Sequence, residues 1–203
     1  FASEDMQWDS KLNFAANRSE IVSLAQELRT DAVSRSATVS IVQKVGSPVS
    51  TIYGTPYVRD DQGRIVHGEN GLPLQGEQEV LGKGAPDWTL GFSNTFSFKN
   101  FYVNALVDVQ WGGVMYSGTN RSAYSYGLHK ETLEGRAACE EAKTADGYPS
   151  DGCFVPGGVV GHFEGEGEDR ELVVDRENDV KVLPAEYYGY ISSSIAEQFI
   201  YDA

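Results

Sequence analysis

The side chains able to do chemistry are few in kind. Two cysteines, Cys139 and Cys153, lie 14 positions apart in a polar, glycine-containing stretch. In an oxidising compartment they would bridge and close a loop, a constraint worth about 3 kcal/mol. In a reducing one they would remain free thiols. They cannot complete a tetrahedral zinc site alone, and none of the three histidines lies at ligand spacing from them. Asp60-Asp61 and the run Glu164, Glu166, Glu168 could be posed as glycosidase carboxylate pairs. Nothing fixes their separation, however, and acids on glycine-rich loops are usually solvated. There is no Gly-x-Ser-x-Gly elbow and no glycine-rich phosphate loop, so the sequence reads as that of a protein that is not an enzyme. Loop acids would suit calcium, but their spacing matches no EF-hand, and no cofactor is called for. The remaining candidates are Tyr116, Asn120, Tyr124, Tyr126 and His129, aromatic and amide groups on which sugars or peptides could dock. The plain alternative is that these tyrosines pack loop against loop or belong to an interfacial belt.

The elements that would position them alternate. Residues 6–16, MQWDSKLNFAA, place Met6, Trp8, Leu12, Phe14 and Ala16 on one face, with Ser10 as the weak position. In WTLGFSNTFSFKNFYVNALVDVQW, two such runs meet at Lys99-Asn100. Trp88, Leu90, Phe92, Phe96 and Phe98 share a face, with Asn94 as the polar exception. Phe101, Val103, Ala105, Val107, Val109 and Trp111 continue it after the turn. This is period 2, the mark of strands. Each run is about 11 residues, the length with which a tilted strand crosses a bilayer. Strands are expected over about 6–16, 88–98, 101–116 and 197–203, with long connections over about 17–86 and 117–196. Within the first, Asn17 or Ser19 followed by Glu20 and by Ile21, Leu24 and Leu28 is a helix-start signal, though the strand could equally run on. DDQG (60–63) and ENGLP (69–73) read as turns. In the second, a helix could follow Pro184.

The opposite face of 88–111 carries Thr89, Gly91, Ser93, Thr95, Ser97 and Lys99 on the first run and Tyr102, Asn104, Leu106, Asp108 and Gln110 on the second, with few of the lysines and glutamates usual on a solvated sheet. Aromatics gather at both strand ends, as in a membrane barrel's girdles. The formal charge of −14 excludes nucleic acid as a partner. No apolar run reaches the length of a transmembrane helix. The chain opens at Phe1 without an initiator methionine or leader, and FIYDA at its end looks like the start of a strand. It therefore reads as an internal segment of a longer protein, with a processed secreted domain as the alternative.

The run LGKGAPDWTLGFSNTFSFKNFYVNALVDVQWGGVMYSGTN, followed by GLHKETLEGR, resembles the C-terminal part of the SusC/RagA family of TonB-dependent outer-membrane transporters. The matching phrase is Pro86-Asp87-Trp88, Gly91, Asn94, Phe96, Phe98-Lys99-Asn100-Phe101, Trp111-Gly112-Gly113 and Tyr116-Ser117. WDSKLNFAANRSEIVSL and VGSPVSTIYGTPYVRDDQGRIV are similar to the preceding strand and loop of that family, and NDVKVLPAEYYGY and FIYDA to the lead into the next strand. The resemblance implies an all-β chain: a fragment of a transmembrane antiparallel β-barrel, roughly 22-stranded, with long extracellular loops. The plug domain would lie outside these residues. It implies energised import of a large nutrient, an oligosaccharide or peptide, across a Gram-negative outer membrane. The implied partners are a SusD-like surface lipoprotein, the TonB complex acting through the plug, the lipid bilayer and the remainder of the barrel. Phe92, Phe96, Val103, Val107 and Val109 would face lipid. The rival class is a soluble extracellular carbohydrate-binding β-sandwich. The acidic stretch 164–179 would discourage polyanionic substrates.

Overall fold

The computed structural model describes residues 5–24, 31–35, 38–165, 167 and 170–203, with 31–35 described at the level of the backbone. The chain is mostly strand with little helix, and most of its strand pairs are antiparallel. Among the described residues the strands close no barrel.

Three long strands form a sheet in the order β1 (Met6–Ala16), β7 (Trp88–Phe98), β8 (Phe101–Trp111). Every residue of each strand is paired, without a bulge. The alternation read from the sequence thus becomes cross-strand rows: Met6–Phe98–Phe101, Trp8–Phe96–Val103, Leu12–Phe92–Val107, Phe14–Leu90–Val109 and Ala16–Trp88–Trp111. The two polar exceptions fall in one row, Ser10–Asn94–Ala105. There the Asn94 amide oxygen accepts hydrogen bonds from the Ser10 hydroxyl and, at 3.0 Å, from the Trp8 indole. A lone amide on an apolar face is costly; its oxygen is satisfied within the sheet. Lys99-Asn100 makes the two-residue turn, with Lys99 at φ +50°.

Because Ala16, Trp88 and Trp111 share a row, both long connections leave from the same end of the sheet. They are not open loops. They fold together into a head. One head sheet is antiparallel, ordered β2 (Asp31–Arg35), β3 (Val39–Gln43), β4 (Thr51–Gly54), β6 (Glu79–Lys83). A second joins β5 (Val66–His67), parallel, to the hairpin of β10 (Val159–Glu164) and β11 (Glu171–Glu177). Among the described residues three α-helices complete it: α1 (Gly118–Ser125), α2 (Arg136–Ala142) and α3 (Pro184–Ser194). The main core lies between α1 and α3 and is built of Tyr57, Tyr124, Phe154, Tyr187, Tyr188, Ile191, Ile195 and Phe199.

Two expectations are corrected, and of the alternatives left open after Asn17 neither forms among residues 17–24. The strand expected over 101–116 breaks after Trp111. Gly112 and Gly113 adopt φ +77° and +86°, and a Cβ on Gly112 would meet the Asp87 carboxylate at 2.2 Å. Residues beyond them form a separate strand, β9 (Val114–Tyr116), paired with β12 (Ile200–Asp202). The strand expected over 197–203 opens as a 3-10 turn, Glu197–Phe199, because Phe199 is fully buried in the core. The helix-start signal after Asn17 does not start a helix among residues 17–24. Ser19 accepts a hydrogen bond from the Val49 amide, and Ile21 exchanges backbone bonds with Ser47 and Gly46. Residues 25–30, including Leu28, lie outside the described residues. The helix after Pro184 forms with proline in its first turn, where the missing N–H costs nothing.

Candidate functional site

Two surfaces stand out. The first is the apolar face of the long sheet. None of the three core clusters includes a residue from β1, β7 or β8. Among the residues expected to face lipid, exposure runs from 38% at Phe92 to 57% at Val103; Phe96 and Val107 lie between them and Val109 is half-buried. A β-sandwich would lay a second sheet about 10 Å away on such a face. Here, among the described residues, the long strands pack extensively only on one another. At the head end Phe14, Trp88 and Trp111 form a belt, with ring centroids 6.1 and 6.0 Å apart. At the turn end lie Phe98 and Phe101. Ten residue steps of about 3.3 Å give roughly 33 Å along the strands. At a tilt near 40° that spans about 25 Å, the height of the apolar band of a membrane barrel. The opposite face is mixed: Asn104 donates to the Thr95 hydroxyl at 3.0 Å and Asp108 pairs with Gly91, while Tyr102 and Leu106 stand exposed beside Ser97 and Ser93.

The second surface is a cleft of about 470 Å³ in the head. Its walls come from the end of α1 (Tyr124, Ser125, Tyr126, Gly127), from Thr132 and α2 (Arg136, Cys139, Glu140), from Tyr148, and from the start of α3 (Leu183, Pro184, Ala185, Tyr188). Cys139 and Cys153 form a disulfide with their Cα atoms 5.0 Å apart, so α2 is tied to the segment that carries Phe154, itself bridged to Val182. Arg136 donates to the Gly127 carbonyl and, at 2.9 Å, to the Thr132 hydroxyl, which joins α2 to the end of α1. The Tyr148 hydroxyl donates to Glu140, and the Lys143 ammonium sits 4.7 Å above the Tyr148 ring. Tyr188 has its phenol pushed up to about 12, by burial first and then by Glu134 and Glu131, so it stays neutral.

The five residues singled out by sequence divide between the cleft and the core. Tyr126 is on the cleft wall and 79% exposed. Tyr124 touches the cleft but is 2% exposed. Its ring packs edge-on against Tyr188 and Phe199, its hydroxyl donates to Glu131, and it accepts from Gln198 at 2.8 Å. The expectation of an open docking ring at Tyr124 is therefore corrected: a side chain gripped on both faces and at its hydroxyl is a core member. Tyr116, Asn120 and His129 do not line the cleft. Tyr116 lies edge-on to Phe199, His129 stacks 4.7 Å from Tyr124, and Asn120 gives its backbone N–H to the capping Ser117 hydroxyl. Sequence reasoning missed Arg136, Glu140, Tyr148 and Leu183. They come from segments far apart in the chain, and only the cysteine pair hinted that 139 and 153 meet.

Elsewhere in the head, His162 is held by Asp175 at 3.0 Å and Glu164 at 3.3 Å. The hydrogen bond it donates to Asp175 first, then that to Glu164, holds its pKa above the usual histidine value. His67 is the opposite case: fully buried, 3.1 Å from the Tyr187 hydroxyl, with a pKa lowered by desolvation. Among the described residues no group of three or more His, Cys, Asp or Glu side chains could hold a metal ion.

No protein-family model matches this chain, and no curated protein matches it either. The functional reading therefore rests on the two surfaces and on the motif resemblance.

Proposed function

We propose that this chain is part of the wall and outer head of a TonB-dependent outer-membrane importer of the SusC/RagA kind, one that carries large nutrients such as oligosaccharides or peptides. The observation that carries the reading is the uncovered apolar face of β1, β7 and β8. It is six rows deep, in full register and ringed at both ends, and the face behind it is mostly small and polar, with Tyr102 and Leu106 as its large apolar members. In water such a face would be a liability; against acyl chains it is the expected surface. The outer edges of β1 and β8 pair with no other described strand. In lipid those edges demand neighbours, because an unpaired backbone is not tolerated there. The neighbours would be the other strands of the barrel. The short Lys99-Asn100 turn belongs on the periplasmic side and the head outside, where a SusD-like lipoprotein would cover it. Import would be driven through a plug contacted by TonB, and the substrate's bonds would stay intact.

The test is insertion of paired arginine variants into outer membranes. Val107→Arg, on the apolar face near mid-sheet, should lose roughly 2–4 kcal/mol of insertion stability, whereas Asn104→Arg, on the polar face, should lose little. Equal tolerance of both would remove the membrane reading.

A further inference from the structure

The cleft in the head can bind a ligand whether or not the long sheet lies in lipid. We infer that it is a subsite for one or two units of a neutral saccharide, with Tyr126 as the stacking platform. Its volume of about 470 Å³ lies in the range of small-molecule sites. Its lining combines aromatic rings with a small number of fixed polar groups. Tyr126 presents an exposed ring on one wall. Tyr148, also exposed, is pinned by its hydrogen bond to Glu140, and Lys143 covers one of its faces. Tyr188 and the Cys139–Cys153 disulfide hold the cleft's inner wall rigid.

The polar groups decide the ligand class. The lining carries one cation, Arg136, and one anion, Glu140. Neither sign dominates, so a charged ligand would leave one group opposed, while hydroxyls can donate to Glu140 and accept from Arg136. The Arg136 guanidinium is already oriented by Gly127 and Thr132, which lowers the entropy cost of using it. An extended peptide is the weaker fit. Peptides are commonly captured by adding a strand to a sheet edge, and this cleft is walled by helix ends and turns with no strand edge in its lining. The acidic surroundings, with 15 acidic against 7 basic residues over 118–196, disfavour anionic sugars by repulsion.

The test uses the full chain, purified in detergent. Saturation-transfer NMR and calorimetry are run with maltose, cellobiose, mannobiose and galactobiose, with an unsaturated chondroitin disaccharide as the anionic probe and tri-alanine as the peptide probe. At least one neutral disaccharide should bind. Tyr126→Ala should weaken it about tenfold, equivalent to about 1.4 kcal/mol. Tyr126→Phe, which keeps the ring, should bind as the parent does. Tyr102→Ala, an exposed tyrosine on β8, should change nothing. Binding to none of the four neutral sugars overturns the inference, as does preference for the anionic or peptide probe. Binding that survives Tyr126→Ala also overturns it. Because the assay is done in solution, its failure is separable from failure of the arginine insertion test.

Discussion

At the scale of single residues, two of the three head histidines, His162 and His67, should answer acid in opposite directions. His162 has its pKa raised by Asp175 and Glu164. The folded state therefore holds a proton more tightly than the unfolded chain does. This contribution is complete below about 6.5 and is lost as pH rises through the folded pKa. His67 has its pKa lowered by burial. Its contribution is present above about 6.5 and is lost as pH falls through the folded value. Thermal unfolding should show this separation: His162→Gln should weaken the protein more at pH 5.5 than at pH 8, and the wild-type His67 should be the larger source of acid sensitivity. Histidine NMR titration should find His162 above and His67 below an unstructured histidine. The disulfide gives a second prediction at this scale. Reduction of Cys139–Cys153 should cost about 3 kcal/mol of head stability. It should also free α2, read as faster hydrogen exchange at 136–142. Unchanged exchange after verified reduction would mean that packing alone holds that wall.

At the scale of elements, the strand break at Gly112-Gly113 lets the long sheet end and the head begin. Ala at Gly112 would need a left-handed conformation and would press its Cβ on Asp87. The left-handed penalty alone is about 1–2 kcal/mol. Gly112→Ala should therefore loosen the β9–β12 pair, seen as lost amide protection at 114–116 and 200–202, while the β7–β8 hairpin stays protected. The Ser10–Asn94 row makes a second case. Ser10→Ala removes one of the donors to the Asn94 amide and should destabilise the β1–β7 pair by about 1 kcal/mol. Adding Asn94→Leu should recover most of that loss, because the amide that needed a partner is gone. This pair of exceptions was visible in the sequence, each on its own strand. Their meeting was not, because one-dimensional alternation carries no register between strands 80 positions apart.

At the scale of the whole molecule, the polypeptide carries two unlike surfaces. The long sheet is apolar on one face and mild on the other, and the head carries most of the acid. If the head is outside the cell, proteolysis of intact cells should cut within 143–151 or near 60–63, where exposed turns lie. Cleavage that requires breaching the outer membrane would reverse the orientation. Among the described residues the three-stranded sheet has two open edges, so the isolated 203 residues should need detergent to stay dispersed. A preparation that stays monomeric without detergent would argue against lipid as the natural cover of that face.

The alternating runs by themselves determined the long strands, their faces and the two-residue turn, because a period of two is a local consequence of the extended backbone. Local chemistry likewise marked the turn at 60–63 and the helix after Pro184. Tertiary structure alone decided the rest. It broke the strand at Gly112, moved Tyr124 from a docking surface into the core, and made a cleft from Tyr126, Arg136, Tyr148 and Leu183. The reason is that burial and concavity are properties of several segments at once. Tyr124 and Tyr126 are the same residue type two positions apart on one short helix end; which of them meets solvent was set by Phe199 and Tyr188 arriving from the far end of the chain.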